Sequence, residues 1–376
     1  MAVEIRQHAP GKDTADFIRA GHNVFAGDPA WIAPLNFELR QRLSPSGNPF
    51  FGRAEVMLFT AWCDGELVGR CSAQIDREHL RVHADNTGFF GFFDTIDDVS
   101  VASALIDCAA DWLRARGMKR MMGPFSLYVN EEVGILVEGF EHPPVMFMAH
   151  SRPYQAALCE ATGLKKETDL LAWRYDDPQL PLRAQKAWED VQRMPEVRLR
   201  SLDLKHMQRE IEIVMAIYND AWSGKWAFVP ALPDEVRKLA QDLKLILDPD
   251  IAFIAEVNGE PAGMCITLPN LNEAIADLHG ELLPLGFAKL LYRLKVKHPI
   301  STRLMMLGIR EDVRKQRRYG GLSAAMYVET ARRGLAKGYK WGELSWTREN
   351  DAPINVAIKM MGARVYKRYR VFQKNL

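Results

Sequence analysis

Four basic side chains and two glycines crowd one stretch of this chain: Arg314, Lys315, Arg317 and Arg318, followed by Tyr319-Gly320-Gly321. Guanidinium forks and an ammonium group are well suited to holding phosphate oxygens. Glycines let the backbone turn sharply and bring its N–H groups to a ligand. A helix that starts there directs the positive end of its dipole at an anion. An apolar strand, Leu304 to Ile309, runs into the loop, and an amphipathic helix leaves it with Leu322, Met326, Ala331 and Leu335 on one side. Strand, turn and helix together compose a phosphate site. The bland alternative is a solvated basic loop before an ordinary helix.

Proton handling has its own candidates. Glu131 lies between Asn130 and Glu132 in a long loop, Gly123 to Tyr154, punctuated by Gly134, Gly139 and Pro143-Pro144 and carrying His150. A carboxylate held beside aliphatic side chains has its pKa raised and can act as a base near neutral pH. The alternative is that Asn130 and Glu131 cap a short helix over Val133 to Val137. His150 has no partner visible in sequence, so a structural role stands beside a catalytic one. No Ser/His/Asp or Cys/His constellation is evident.

The frame for these residues is a soluble, mixed α/β chain. Its 376 residues suggest two domains. Lys+Arg 49 against Asp+Glu 48 leaves no global basic field, which argues against a general nucleic-acid binder. Cys63, Cys71, Cys108, Cys159 and Cys265 are scattered without metal-type spacing, so reduced thiols and no metal are expected. The N-terminus has no apolar leader and no run approaches the length of a membrane span. A cytoplasmic protein is expected, at most peripheral on the inner membrane.

Periodicity gives the first half the order β-α-α-β-β-β-α-β-(loop)-α-β, with a hairpin at Asp64-Gly65 and a third strand, Thr87 to Phe93. The turn after that strand, Phe93-Asp94-Thr95-Ile96-Asp97-Asp98, is acidic and should repel a pyrophosphate. After a polar, proline-bounded linker the same order recurs, with a hairpin at Asn258-Gly259 and the Gly-Gly loop in the equivalent place. The expected domains are therefore 1–176, substrate-binding or structural, and 177–376, cofactor-binding. One insertion, Gly280 to Lys297, has Leu282, Leu283, Leu285, Phe287, Leu290, Leu291 and Leu294 on one side of a helical pattern. Lys289, Arg293, Lys295 and Lys297 stand on the other. It reads as a surface for lipid, or as a helix packed on the core with solvated lysines.

This order, with Arg317-Arg318-Tyr319-Gly320-Gly321-Leu322, resembles the GCN5-related N-acetyltransferase (GNAT) superfamily and its Arg/Gln-x-x-Gly-x-Gly/Ala motif. Leu322 stands where that motif has Gly or Ala. Asn350 and Asn355, ahead of a helix and Gly362-Ala363, resemble the superfamily's second cofactor segment, and its usual tyrosine is replaced by Ile358. Asp28-Pro29-Ala30-Trp31, Gly88-Phe89-Phe90-Gly91-Phe92-Phe93, Asn130-Glu131-Glu132-x-Gly134, Gly139-Phe140, Pro143-Pro144 and Tyr218-Asn219-x-x-Trp222 resemble the tandem-domain acyltransferases that include the bacterial ceramide synthases.

The resemblance implies two tandem GNAT-like domains, the first without a phosphate-binding turn. It implies transfer of a fatty acyl group from acyl-CoA (coenzyme A) to the amine of a long-chain sphingoid base. Other amines (an amino acid, aminoacyl-tRNA or a polyamine) and a non-catalytic CoA-binding sensor remain as alternatives. The implied cofactor contacts are Ile309, Arg314, Arg317, Arg318, Tyr319, Gly320, Gly321, Leu322, Asn350 and Asn355. Expected substrate contacts are Tyr128, Tyr154, Trp222, Trp226, Phe228, Leu290 and Leu291. Glu131, narrowly preferred, and Glu343, on the strand that lines the thioester in this superfamily, are the candidate bases, with Asn130 and His150 as further catalytic candidates.

Overall fold

A computed structural model describes residues 2–244 and 246–376; the side chain of Lys295 also lies outside the described residues. In chain order the elements begin with β1 (Val3–His8), α1 (Ala15–Val24), α2 (Asn36–Arg42), β2 (Ala54–Cys63), β3 (Glu66–Asp76), α3 (Arg77–His83), β4 (Thr87–Thr95) and α4 (Val99–Arg114). There follow β5 (Arg120–Gly123), β6 (Ile135–Glu138), α5 (Gln155–Ala161), β7 (Lys165–Tyr175), α6 (Leu182–Gln192), β8 (Val197–Ser201), α7 (Met207–Ala221) and α8 (Pro233–Leu243). The chain closes with β9 (Ala252–Val257), β10 (Glu260–Pro269), α9 (Leu271–Ile275), α10 (Gly286–Tyr292), β11 (Ser301–Ile309), α11 (Glu311–Arg314), α12 (Leu322–Ala336), β12 (Trp341–Arg348), α13 (Ala352–Met360) and β13 (Arg364–Asn375).

Two compact units result, and neither is one continuous stretch. The first comprises Met1–Leu170, Ile275–Lys289 and Lys367–Leu376; the second comprises Leu171–Ala274 and Leu290–Tyr366. A single linear boundary at 176/177 therefore does not describe the packing. The last strand illustrates why: Phe372 of β13 pairs with Gly123 of β5, antiparallel, inside the first unit. An alternating strand satisfies its own pattern beside any neighbour, so its placement is not written in its residues.

In the first unit β1 to β5 lie in sequence order, with β2–β3 and β3–β4 antiparallel and β4–β5 parallel. The β2–β3 turn uses Asp64 at φ 49° and Gly65 at φ 86°, the positive values that a tight hairpin requires. Val101, Leu105, Ile106, Ala109 and Leu113 of α4 pack over Phe59, Ala73 and Phe90 of the sheet. In the second unit β8 to β12 repeat the order, with β11–β12 parallel and β7 beside β12. Its core joins Leu322, Ala325 and Met326 of α12 to Phe253, Cys265, Leu304 and Leu344.

Two local expectations are corrected. Residues 133–137 are not a helix: Ile135–Glu138 is strand β6, so Asn130 and Glu131 cap nothing there. β-branched and aliphatic Ile135-Leu136-Val137 suit a strand edge as well as a helix, and pairing with β13 decides it. The insertion is also not one continuous helix. Only Gly286–Tyr292 is α-helical, Arg293–Lys297 continues as a π turn, and Leu290 and Leu291 are half-buried.

Candidate active site

The basic loop in the second unit forms as its residues suggest. Tyr319 and Leu322 are buried in the core and anchor the loop, so Tyr319 and Leu322, like buried Ile309, offer a ligand their backbone and not their side chains. Gly321 is the N-cap of α12 and no side chain caps that helix, which leaves its first turn open to an anion. Arg318 pairs with Glu196 and lies 5.7 Å over the Tyr319 ring, while Lys315 pairs with Glu311 at 2.9 Å. Arg314 and Arg317 are exposed, and among the described residues no ion pair holds either.

The equivalent place in the first unit is closed twice. Asp98 caps α4 itself, accepting from the Ser100 N–H at 2.7 Å, so a carboxylate already occupies the helix end. Asp94 accepts from Arg70 Nε at 2.7 Å, a buried ion pair within the turn. The acidic turn is thus a built, self-satisfied structure.

The two parallel strand pairs differ in the same sense. In the second unit β11 and β12 pair only from Ser301–Trp341 to Leu304–Leu344 among the described residues, although both strands run on. They splay from that point. A bulge sits at the vertex: Ile266 faces Met306 and Thr267 faces Leu304, leaving Met305 unpaired with β10. Bulges of this kind bend a strand and re-aim its backbone groups. The first unit has a corresponding bulge, since Arg70 faces Asp94 and Ser72 faces Gly91. There, however, Phe125 crosses the gap: its N–H donates to Phe90 O at 2.7 Å and its carbonyl accepts from Gln74 at 2.6 Å. A Cβ on Gly91 would stand 1.8 Å from that carbonyl, which is why glycine is needed in the aromatic strand.

Glu343 lies just before the splay. It pairs across the strands with Arg303, and both point away from Leu304 and Leu344, which face the core under α12. Glu343 is 0% exposed and accepts from the phenol of Tyr366 and the hydroxyl of Ser345. Ser345 in turn accepts from Arg303 Nε at 2.9 Å. Aromatic side chains flank the open strands. Trp222, at the end of α7, stacks on Tyr218 at 5.2 Å and presses on β11 so closely that a Cβ at Gly308 would lie 2.3 Å from its ring. Trp226 meets Trp346 of β12 edge-on at 6.2 Å, and Arg348 lies 5.1 Å over its ring. Phe228 is buried against Tyr218. Asn355 braces this end, accepting from Thr347 at 2.6 Å and donating to Arg348 O at 2.8 Å, while Asn350 is exposed.

The remaining residues sit in the first unit in three separate settings. Glu131 accepts from Arg42 Nε at 2.5 Å, and Arg42 also reaches Glu132 at 3.2 Å and Ser126 O at 2.9 Å. Burial raises the Glu131 carboxyl to about 7 against the pull of Arg42. Neighbouring Tyr128 stacks on Phe50 at 5.1 Å, and Asn130 is exposed in the same turn. His150 Nε2 faces Asp28 Oδ2 at 3.1 Å, so it does have a partner, 122 residues away in sequence. Burial holds its imidazole below the ordinary histidine range, against Asp28. Tyr154 donates to Thr95 O at 2.9 Å. Sequence reasoning missed Tyr366, Ser345, Arg303 and Arg42, whose only signal was alternation on strands or a basic helix end.

The raised carboxyl carries a testable sign. Around 4.5, the ordinary value of a glutamate, the unfolded chain releases the Glu131 proton, whereas the folded chain keeps it until about 7. Folded stability from this group therefore declines as pH rises through that window. Melting temperatures of the wild type should fall relative to Glu131→Gln between those pH values, and parallel curves would contradict the assignment.

Among the described residues no group of three or more His, Cys, Asp or Glu is placed to hold a metal ion, and no helix is long and apolar enough to cross a membrane. No protein-family profile matches the chain. It is similar to the bacterial ceramide synthase of Caulobacter vibrioides, 41% identical over 364 residues that cover 96% of this chain and 94% of that protein. It is similar also to protein YghO of Escherichia coli, 35% identical over 378 residues, covering 99% and 95%. Among solved structures, a tandem GNAT protein from the clavulanic acid biosynthesis pathway has a TM-score of 0.57 at 12% identity, covering 100% of this chain and 98% of that one. A GCN5-related N-acetyltransferase from Sphaerobacter thermophilus has a TM-score of 0.53 at 14% identity, covering 99% and 95%. These two likenesses establish the tandem GNAT fold, and the sequence identities carry the rest: the chain belongs to the bacterial ceramide synthase family and is an acyl-CoA-dependent N-acyltransferase of that fold.

Proposed function

We propose that the second unit binds a fatty acyl-CoA and passes its acyl group to the amine of a long-chain sphingoid base, forming a ceramide-type amide. One observation carries the cofactor half: the uncapped α12 terminus and the splayed, bulged β11–β12 pair, against their closed counterparts in the first unit. CoA phosphates meet Arg314, Arg317 and the N–H groups at Gly320 to Leu322, and the pantetheine arm lies between the strands. The first unit, whose equivalent turn is closed, is structural in this proposal. The name borne by the Caulobacter vibrioides relative supports the acceptor.

In the reaction the neutral amine attacks the thioester carbonyl. A C–N bond forms, the C–S bond breaks, and CoA leaves as the thiolate that regains a proton. Glu343 is the base of this proposal. Tyr366 is half-buried and donates to Glu343, so its oxygen can take the ammonium proton as its own passes to the carboxylate. Glu131 is second, since Arg42 already engages its carboxylate. The reading is tested by a matrix of acyl-CoA chain lengths against sphingoid bases, amino acids and polyamines with product detection. Amide formed only with the small amines would overturn the sphingoid assignment.

The insertion supports peripheral contact with a membrane, the source of such an acceptor. Its solvent-facing apolar residues are Leu283, 82% exposed, Leu285 and Phe287, with Lys289 beside them. Leu283→Ser with Phe287→Ser should lower binding to anionic vesicles about tenfold or more, since two buried apolar side chains are lost. Unchanged vesicle binding would remove the membrane from the proposal.

A further inference from the structure

The splay between β11 and β12 has a floor, and under that floor there is space. Leu304 and Leu344 form the last cross-strand pair before the strands part, and both face α12. They also line an open pocket beneath the C-terminal half of α12, with Glu343 among its lining residues. Tyr327, Leu335 and Met361 complete its apolar wall, and the exposed Asp177 and Lys340 stand at its edge. A mostly apolar hollow beside the last cross-strand pair suits a flexible hydrocarbon chain, with Thr267, Thr302 and Thr330 adding a few polar groups to its wall.

Gly334 is the informative residue. It lies on α12 within this wall, and a Cβ built there meets no atom within 4 Å. Glycine inside a helix costs about 1 kcal/mol relative to alanine. Here no close backbone contact demands it. Its bareness instead keeps the hollow open.

We propose that this pocket receives the acyl chain of the donor, and that Gly334 sets how long a chain is accepted. The proposal rests on the second unit binding acyl-CoA as above, and adds where the chain lies and which residue measures it.

The test is calorimetric titration of wild type, Gly334→Leu and Gly334→Phe with CoA, a 4-carbon acyl-CoA, a 16-carbon acyl-CoA and free 16-carbon fatty acid. Each methylene taken out of water strengthens binding about fourfold. Wild type should therefore bind the 16-carbon donor far more tightly than the 4-carbon one. In Gly334→Phe that gain should shrink at least tenfold, with CoA affinity within about twofold of wild type, and Gly334→Leu should be intermediate; thermal melts confirm that both fold. An undiminished gain in both variants overturns the pocket assignment. If CoA fails to bind even the wild type, the cofactor reading falls by itself, and the free fatty acid then decides this one. Its binding to wild type and at least tenfold loss in Gly334→Phe would support the pocket, whereas equal binding, or none, would refute it.

Discussion

Replacing Glu343 by glutamine is expected to lower turnover by about 10²–10⁴-fold near neutral pH, the usual cost of losing a positioned base. The substitution is nearly isosteric. The amide oxygen can still accept from Tyr366 or Ser345, so the network around Arg303 has means to persist. What disappears is the capacity to take a proton. The deficit should shrink as pH rises from roughly 6.5 to 9, because more of the amine is then neutral without help. Tyr366→Phe should show the same partial recovery if the phenol relays the proton. A merely structural Glu343 would lower melting temperature and turnover together with no such pH dependence. Near-normal turnover of Glu343→Gln across this range would end its candidacy and bring Glu131 forward.

The second large effect concerns the cofactor. Arg314→Glu with Arg317→Glu should weaken CoA binding roughly 10²-fold or more, since two charge-assisted hydrogen bonds of about 1.5–3 kcal/mol each are replaced by repulsion. Both side chains are exposed, so folding should be little affected. Arg318 is a poorer choice for the experiment because its pairing with Glu196 mixes fold with binding. The loss should diminish at high salt, where exposed charges are screened. An unchanged dissociation constant at low salt would remove this loop from the cofactor site.

Much of the architecture is local and was legible. Asp64-Gly65 and Asn258-Gly259 announce hairpins because only such residues tolerate the required positive φ, which Asn258 (55°) and Gly259 (82°) indeed adopt. The period of Leu322, Met326 and their neighbours announces α12, and the clustered arginines announce its open end. The acidity of 94–98 was visible too, though not its form, an N-cap at Asp98 and an ion pair between Asp94 and Arg70.

Features that join distant residues lay beyond the amino-acid string. Tyr366 meets Glu343, 23 residues away, across β7, which lies between β13 and β12 in the sheet, and neither residue carries a local sign of it. Asp28 finds His150 in the same way across 122 residues. Phe125 fills one inter-strand gap while the other stays open, although both are preceded by similar strands. Local propensity and periodicity, set by steric and hydrophobic terms within a few residues, determine which segments become strand, turn or helix. Which strands neighbour each other, where a ladder opens, and what space remains under Leu304 and Leu344 depend on long-range packing. Tertiary structure alone decided those points, and the proposed chemistry depends on them.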